Sequence, residues 1–336
     1  MVLIWLELAV CAAAIWAAGV RVSRYGDIIA EKTGVGGTWI GLVLISTVTS
    51  LPELATGISA VGFADAPEIA LGDILGSCVF NLVILTVVDF LYRRESVYTR
   101  ASQGHILSAA FGVILIGFVG FNVLLATLGM SFALGSVGLS TPIIFLLYAV
   151  AMRTVFRYER DQRARFTEEA AERYPGVTLR HAAAGYARWA LVVVVAGIAL
   201  PFVGVQLSER MGWEQSFVGS LFVALATSLP EVVVTISAVR LGALDLAIGN
   251  LFGSNLFNIM ILGLDDLIYR RGPLLASVSG IHAVSALSAI LMTGVAIVGL
   301  LYRPKTRLFR AVGWASLILF SLYLLNAYVL FLYGSR

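Results

Sequence analysis

The chain reads as an all-α polytopic membrane protein of about ten transmembrane helices, arranged as two inverted five-helix repeats with discontinuous helices at the centre. Three observations carry that reading. Of 336 residues, 59% are hydrophobic and 13% charged, which is more apolar surface than a soluble domain can use. The apolar residues gather into about ten stretches, each near the roughly 20 residues that a bilayer-spanning helix needs. The pentapeptide TSLPE occurs twice, at 49–53 and 227–231, each time inside an apolar run.

The stretches lie near 2–20, 36–64, 68–92, 104–125, 137–155, 186–206, 213–240, 243–268, 276–301 and 309–332. The first has no basic residue before it and carries Glu7, so it reads as a retained helix and not as a secretory signal. Cys11 and Cys78 lie in different stretches, without metal-ligand spacing, and read as small buried residues. If ten helices alternate direction, 19 of the 23 Lys and Arg residues fall on one side; only Arg210, Arg270, Arg271 and Arg336 fall on the other. The positive-inside rule makes the rich side cytoplasmic and puts both termini outside. The expected location is the cell (inner) membrane. The net charge of +3 is then a topology signal, and a lipid bilayer, not nucleic acid, is the expected partner. The polar stretch 157–188 mixes both charge signs. It predicts a first repeat over 1–155, a cytoplasmic connector over 156–185 and a second repeat over 186–336.

The halves match each other. Residues 50–53 meet 228–231 at an offset of 178, GDILGSCVFNL (72–82) meets GNLFGSNLFNI (249–259) at 177, and DFLYRR (89–94) meets DLIYRR (266–271). Five helices per half is an odd number, so the second half enters the membrane from the opposite side. Inverted repeats of this kind place substrate near the midplane, at broken helices.

The chemistry of the motifs fits such a site. Pro52 and Pro230 cannot donate to the carbonyls of Val48 and Ala226, and freed carbonyls in hydrocarbon persist only where they line a cavity or bind something. Thr49, Ser50 and Glu53 share one helix face, as do Thr227, Ser228 and Glu231. Ser77 and Asn81 stand four apart, as do Ser254 and Asn258; so do Gly72 and Gly76, and Gly249 and Gly253. Small residues at that spacing let helices approach closely. The broken helices are therefore expected to cross the glycine helices and to gather both glutamates, both asparagines and the hydroxyls. All these donors are hard oxygens, which suit Ca²⁺ or Na⁺. Two carboxylates neutralise one divalent ion, whereas bare carboxylates in the bilayer would cost several kcal/mol.

These two motifs, at 41–85 and 219–263, resemble the paired α-repeats of the sodium/calcium exchangers, in the cation/calcium antiporter superfamily, of prokaryotic type. The resemblance implies a transporter and no enzyme, with antiport of Ca²⁺ against Na⁺ by alternating access and no cofactor. It implies Glu53 and Glu231 as central ligands, completed by Thr49, Ser50, Ser77, Asn81, Thr227, Ser228, Ser254 and Asn258. Carbonyls at Ser46 and Ala224 would contribute to flanking sodium sites. The sequence departs from the family where Val48 and Ala226 replace a frequent glycine before TS, and where Asn258 stands at a position that some members fill with Asp.

Other polar residues have plainer expectations. His105 and His282 align near the starts of helices four and nine, at interfaces where a pH-sensing role is open. Asp89 and Asp266 align beside YRR and are expected to pair with charge at the membrane surface. Asp65 and Glu68 are expected in a solvated loop, and Asp73 at an ion mouth or as a loop cap. Rival functions are Ca²⁺/H⁺ (or other divalent cation) exchange, a cation channel, and an intramembrane aspartyl protease, although LGD (71–73) and GLDD (263–266) match GxGD poorly and no HExxH occurs. Single-cysteine labelling along 41–63 and 219–240 is expected to report mirrored accessibility; labelling of both segments from one side, in the same order, would refute the inversion.

Overall fold

The computed structural model describes residues 2–33, 46–92, 96–163, 176–304 and 313–334. The first half contains α1 (Val2–Lys32), α2 (Leu51–Gly62), α3 (Pro67–Leu91), α4 (Gly104–Thr127) and α5 (Ser140–Arg163). The second contains α6 (Leu179–Met211), α7 (Gln215–Thr227), α8 (Leu229–Arg240), α9 (Leu244–Ile268), α10 (His282–Tyr302) and α11 (Trp314–Gly334). Among the described residues eight helices are long and apolar enough to cross a membrane, and α7 with α8 makes a ninth, bent by 45°. The tenth expected span, 36–64, is described only from residue 46 onward, as a turn at 46–49 followed by α2. A two-stranded hairpin, β1 (Ala133–Leu134) and β2 (Val137–Gly138), joins α4 to α5. Of the expected connector, 164–175 lie outside the described residues; α5 and α6 extend helically into its two ends.

α3 and α9 are the most enclosed spans, and they form the centre. Large apolar side chains point outward on the peripheral helices, among them Leu191 and Val195 on α6 and Leu324 and Tyr328 on α11. Lipid, not water, is the medium in which such a surface is stable.

The two halves are interleaved. α1 packs along α6, α4 along α10 and α3 across α9. α6 covers α2 and α1 covers α8, while α5 lies on α9 and α11 on α3. The most extensive packing pairs therefore join the two repeats, while α2 with α3, α4 with α5, α8 with α9 and α10 with α11 pack within their own half. Polar braces follow the same symmetry. His282 Nε2 meets Glu68 at 2.6 Å, and His105 Nε2 meets Asp245 at 3.0 Å, residues aligned at the offset of 177. Glu68 is thus held by a histidine of the opposite repeat and by the Ser279 amide (2.6 Å), instead of lying in a solvated loop. Asp65 pairs with Arg271 at 2.6 Å.

Asp266 does not pair with YRR. It is buried and accepts from the Gly138 and Leu274 amides at 2.9 and 2.6 Å and from Thr141. Asp89 accepts from the amides of Val97 (3.1 Å) and Gly313 (2.8 Å) and from Ser316 (2.8 Å); Arg93 and Arg94 lie outside the described residues. Loop amides near a membrane end lack strand or helix partners, and a buried carboxylate satisfies several at once.

Glycines set the closest approaches. A β carbon added to Gly76 of α3 would lie 2.7 Å from Ser220 Cα and 2.8 Å from Ala224 Cβ on α7. One added to Gly19 of α1 would lie 2.6 Å from Pro230 Cγ. Overpacking of this kind costs about 1–3 kcal/mol. Gly76→Ala and Gly19→Ala are expected to lower the unfolding temperature of the detergent-solubilised protein. Gly294→Ala, where nothing lies within 4 Å, is expected to leave it unchanged.

Candidate functional site

Both TSLPE motifs fold alike. Ser50 (φ −85°, ψ 15°) and Ser228 (φ −80°, ψ 6°) sit in the sparsely used bridge region between two helical pieces. Pro52 and Pro230 occupy the first turn of the helix that follows, where a missing N–H costs nothing. The Ser50 amide still reaches the Ser46 carbonyl (3.0 Å) and the Ser228 amide the Ala224 carbonyl (3.1 Å). The break therefore strands the Val48 and Ala226 carbonyls, whose regular donors would be the prolines. Immediately before the second break, Gly219–Val223 is a π-helical turn, which also unwinds the regular ladder.

The two breaks face one another across α3 and α9, and hydroxyls cross between them. Ser50 donates to Glu231 Oε1 (3.3 Å), and Ser228 donates to Glu53 Oε1 (3.3 Å). Ser254 also donates to Glu231 (3.2 Å), and Ser77 to Glu53 (3.4 Å). Thr49 lies 3.3 Å from Ser254, and Thr227 lies 3.4 Å from Ser77. Each glutamate is thus served by the serine of the opposite TSLPE, where the sequence alone places the serine beside its own glutamate. The hydroxyls of Thr49 and Thr227 lie 3.1 Å from the carbonyls of Ser46 and Ala224.

Nothing of this cluster reaches solvent: Glu53, Glu231, both threonines and Ser50, Ser77, Ser228 and Ser254 are each 0% exposed. One oxygen of each glutamate, Oε2, has no hydrogen-bond partner. The same holds for Asn81 Oδ1 and for both amide atoms of Asn258. A buried polar atom left unpaired costs about 1–3 kcal/mol. These free oxygens therefore mark where a further charged or polar species completes the site. Among the described residues no three His, Cys, Asp or Glu side chains form a metal cage. Around the two glutamates the donors are neutral oxygens, a set that fits a hard cation with six to eight oxygen ligands.

Three more residues join the cluster: Asn255, Asn250 and Asp73, the last of which the sequence placed at a mouth or loop cap. Asn255 Oδ1 accepts from Asn81 Nδ2 (2.9 Å), and Asn255 Nδ2 donates to the Cys78 carbonyl (3.2 Å). Asn255 follows Ser254 directly, so helical periodicity turns it away from the Ser254–Asn258 face; it finds a partner because α3 crosses α9 there. Asp73 accepts from Thr227 Oγ1 at 2.7 Å, and its counterpart Asn250 accepts from Thr49 Oγ1 at 3.4 Å. Asp73 is 0% exposed. It is neither a loop cap nor at a mouth, because Thr227 draws it into the cluster. The site therefore holds a third carboxyl, where the motifs suggested two. The signal for it was present in the sequence as an Asp/Asn mismatch between the aligned motifs.

The family model described as sodium/calcium exchanger protein matches residues 3–156 and 184–331. The inner membrane protein YrbG of Escherichia coli is 29% identical over 252 residues, covering 74% of each chain. The sodium/calcium exchanger MaX1 of Methanosarcina acetivorans is 29% identical over 274 residues, covering 73% of this chain and 77% of that one. The solved H⁺/Ca²⁺ exchanger CAX superimposes with a TM-score of 0.71 at 13% identity, over 99% of this chain and 85% of that one. The sodium-calcium exchanger NCX_Mj superimposes with a TM-score of 0.59 at 20% identity, over 97% of both chains. At these identities the two structures are alike in fold. Glu53→Gln and Glu231→Gln are each expected to leave a divalent ion short of one charge. A loss of about 3 kcal/mol, roughly a hundredfold in apparent Ca²⁺ affinity, should appear in a ⁴⁵Ca²⁺ binding assay on protein that still elutes as a single species.

Proposed function

The chain belongs to the sodium/calcium exchanger protein family, and we propose that it is an antiporter that exchanges Ca²⁺ for Na⁺ across the membrane by alternating access. The halves 1–155 and 186–336 act as the two inverted units, with the charge-poor face and both termini outside. In this reading Glu53 and Glu231 hold one Ca²⁺ between them. Ser50, Ser77, Ser228 and Ser254 orient the carboxylates, and Asn81 and Asn258 supply neutral ligands. The pairs Thr49 with the Ser46 carbonyl and Thr227 with the Ala224 carbonyl make flanking positions for Na⁺.

The observation that carries the reading is the reciprocal set of serine–glutamate bonds between the breaks. It ties each charge to both halves, so that ion binding and the relation of the halves are one event. Two carboxylates without a counter-charge in a low-dielectric interior are costly, so the unloaded carrier crosses slowly. Exchange, and not leak, is the result. Hydroxyls and carbonyls serve Na⁺ but carry no proton at neutral pH, which favours sodium coupling.

One observation favours a second reading, Ca²⁺/H⁺ exchange. Asp73, hydrogen-bonded to Thr227, places a protonatable group in one flanking position and not in the other. In proteoliposomes, an imposed Na⁺ gradient alone is expected to drive ⁴⁵Ca²⁺ uptake, and Thr49→Val is expected to weaken the sodium dependence more than the Ca²⁺ affinity. Equal uptake under a pH gradient alone, with no added effect of Na⁺, would replace the first reading by the second.

A further inference from the structure

Asp265 on α9 is a buried acid that no part of the central cluster uses. It is 0% exposed, and neither carboxylate oxygen has a hydrogen-bond partner. Its carboxyl group lies in the notch left by Gly57 on α2: a β carbon there would sit 2.9 Å from Asp265 Cγ. Gly57 is one turn beyond Glu53, and one turn further on is Val61, which lines a cavity of about 580 Å³ with Asp65, Ile268, Arg270 and Arg271. On α9 the same order holds, because Ser254, Asn258, Asp265 and Ile268 follow at steps of four, seven and three along one face. Two facing helix stripes thus lead from the glutamates to an open cavity, with Asp265 between.

Among the described residues the mirrored route has no such group. A cavity of about 700 Å³ at the other face is lined by Leu91, Tyr92, Arg100, Val239 and Arg240, where Leu91, Tyr92 and Val239 correspond to Ile268, Tyr269 and Val61 of the first. There Val88 stands for Asp265 and Thr235 for Gly57. Asp73 is also on the Asp265 side, with Asn250 as its neutral counterpart. Both extra acids therefore lie in one half of an otherwise symmetric core.

We propose that Asp265 is a protonatable cation station in the half-channel between Glu53 and the Arg270–Arg271 face, so that acidity on that face sets how readily cations reach the centre. A metal ion would be under-coordinated there, since no hydroxyl or amide reaches the carboxylate; a proton needs one oxygen. A bare charge so placed is disfavoured, so a proton holds the site at rest and a passing cation displaces it. The charged group that acts on Asp265 from a neighbouring helix is Asp73 on α3, with Asp65, Arg270 and Arg271 at the mouth; Asp266, on its own helix, is consumed by loop amides.

The inference rests on the chain being a cation exchanger, and its test separates the two. ⁴⁵Ca²⁺ uptake is measured from pH 5 to 9 in right-side-out and inside-out vesicles, for the native chain and for Asp265→Asn. In the native protein, acid is expected to raise the half-saturating Ca²⁺ more from the Asp265 face, by roughly tenfold, the low end of what a like-charged cleft contributes. Asp265→Asn is expected to hold the acid value at every pH from that face and to leave the other face unchanged. Asp265→Val, which copies Val88, gives the same reading if the asparagine variant fails to insert. Parallel pH profiles in native and variant proteins would overturn the station while leaving the exchanger intact. No uptake by the native protein in either orientation would instead remove the exchange reading itself.

Discussion

Two glutamates sit at broken helices where no water reaches, and each must draw its hydrogen bonds from the opposite half of the chain. Most of the architecture follows from that arrangement. A carboxylate at this depth needs donors, and hydrocarbon supplies none. The donors are Ser50 and Ser254 for Glu231, and Ser228 and Ser77 for Glu53. The serine of one break can reach the glutamate of the other only if the breaks are opposed at one depth. Opposition at one depth from opposite sides is what an inverted repeat produces.

Holding the breaks together requires close backbone approach, which the glycines permit. Gly72 and Gly76 let α7 lie against α3. Gly19 receives Pro230, and Gly197 approaches within 3.1 Å, by a notional β carbon, of the Pro52 carbonyl. These two glycines correspond at the offset of 178, so α1 and α6 brace the two breaks in the same way. Pro201 inside α6 adds a polar contact. It removes the donor for the Gly197 carbonyl, and Thr56 of α2 takes that carbonyl at 3.2 Å.

The symmetry is carried as far as the membrane ends, in the His282–Glu68 and His105–Asp245 pairs and in the loops held by Asp89 and Asp266. It fails at a few interior positions. At the offset of 177, Asp73 corresponds to Asn250, Cys78 to Asn255, and Val88 to Asp265. A carrier with identical half-routes would treat its two sides alike, so these mismatches are where sidedness can arise. The change of offset from 178 to 177 has a local cause: the turn between α2 and α3 has one residue more than that between α8 and α9. Asp65 takes up that turn with a positive φ of 51°, a conformation that Asp tolerates better than most residues.

The membrane class, the helix sequence, the repeat and the two glutamates were legible from composition and from the TSLPE and GxxxGS motifs. Those signals are local: apolar run length, a proline that cannot donate, and side chains repeating at helical spacing. What depended on the packed structure was partnership between elements distant in sequence. Periodicity puts Ser50 beside Glu53; only the crossing of the two breaks gives it to Glu231. Periodicity also turns Asn255 away from Asn258, and only the angle of α3 across α9 supplies its partner. Asp266 looks like a surface charge next to arginines until the loops fold over it and present their amides. Asp265 reads as one half of a weak acidic motif until Gly57, on another helix, leaves room for it. A side chain's neighbours along its own helix follow from its spacing, whereas its neighbours on other helices follow from which surfaces can meet closely enough to exclude lipid.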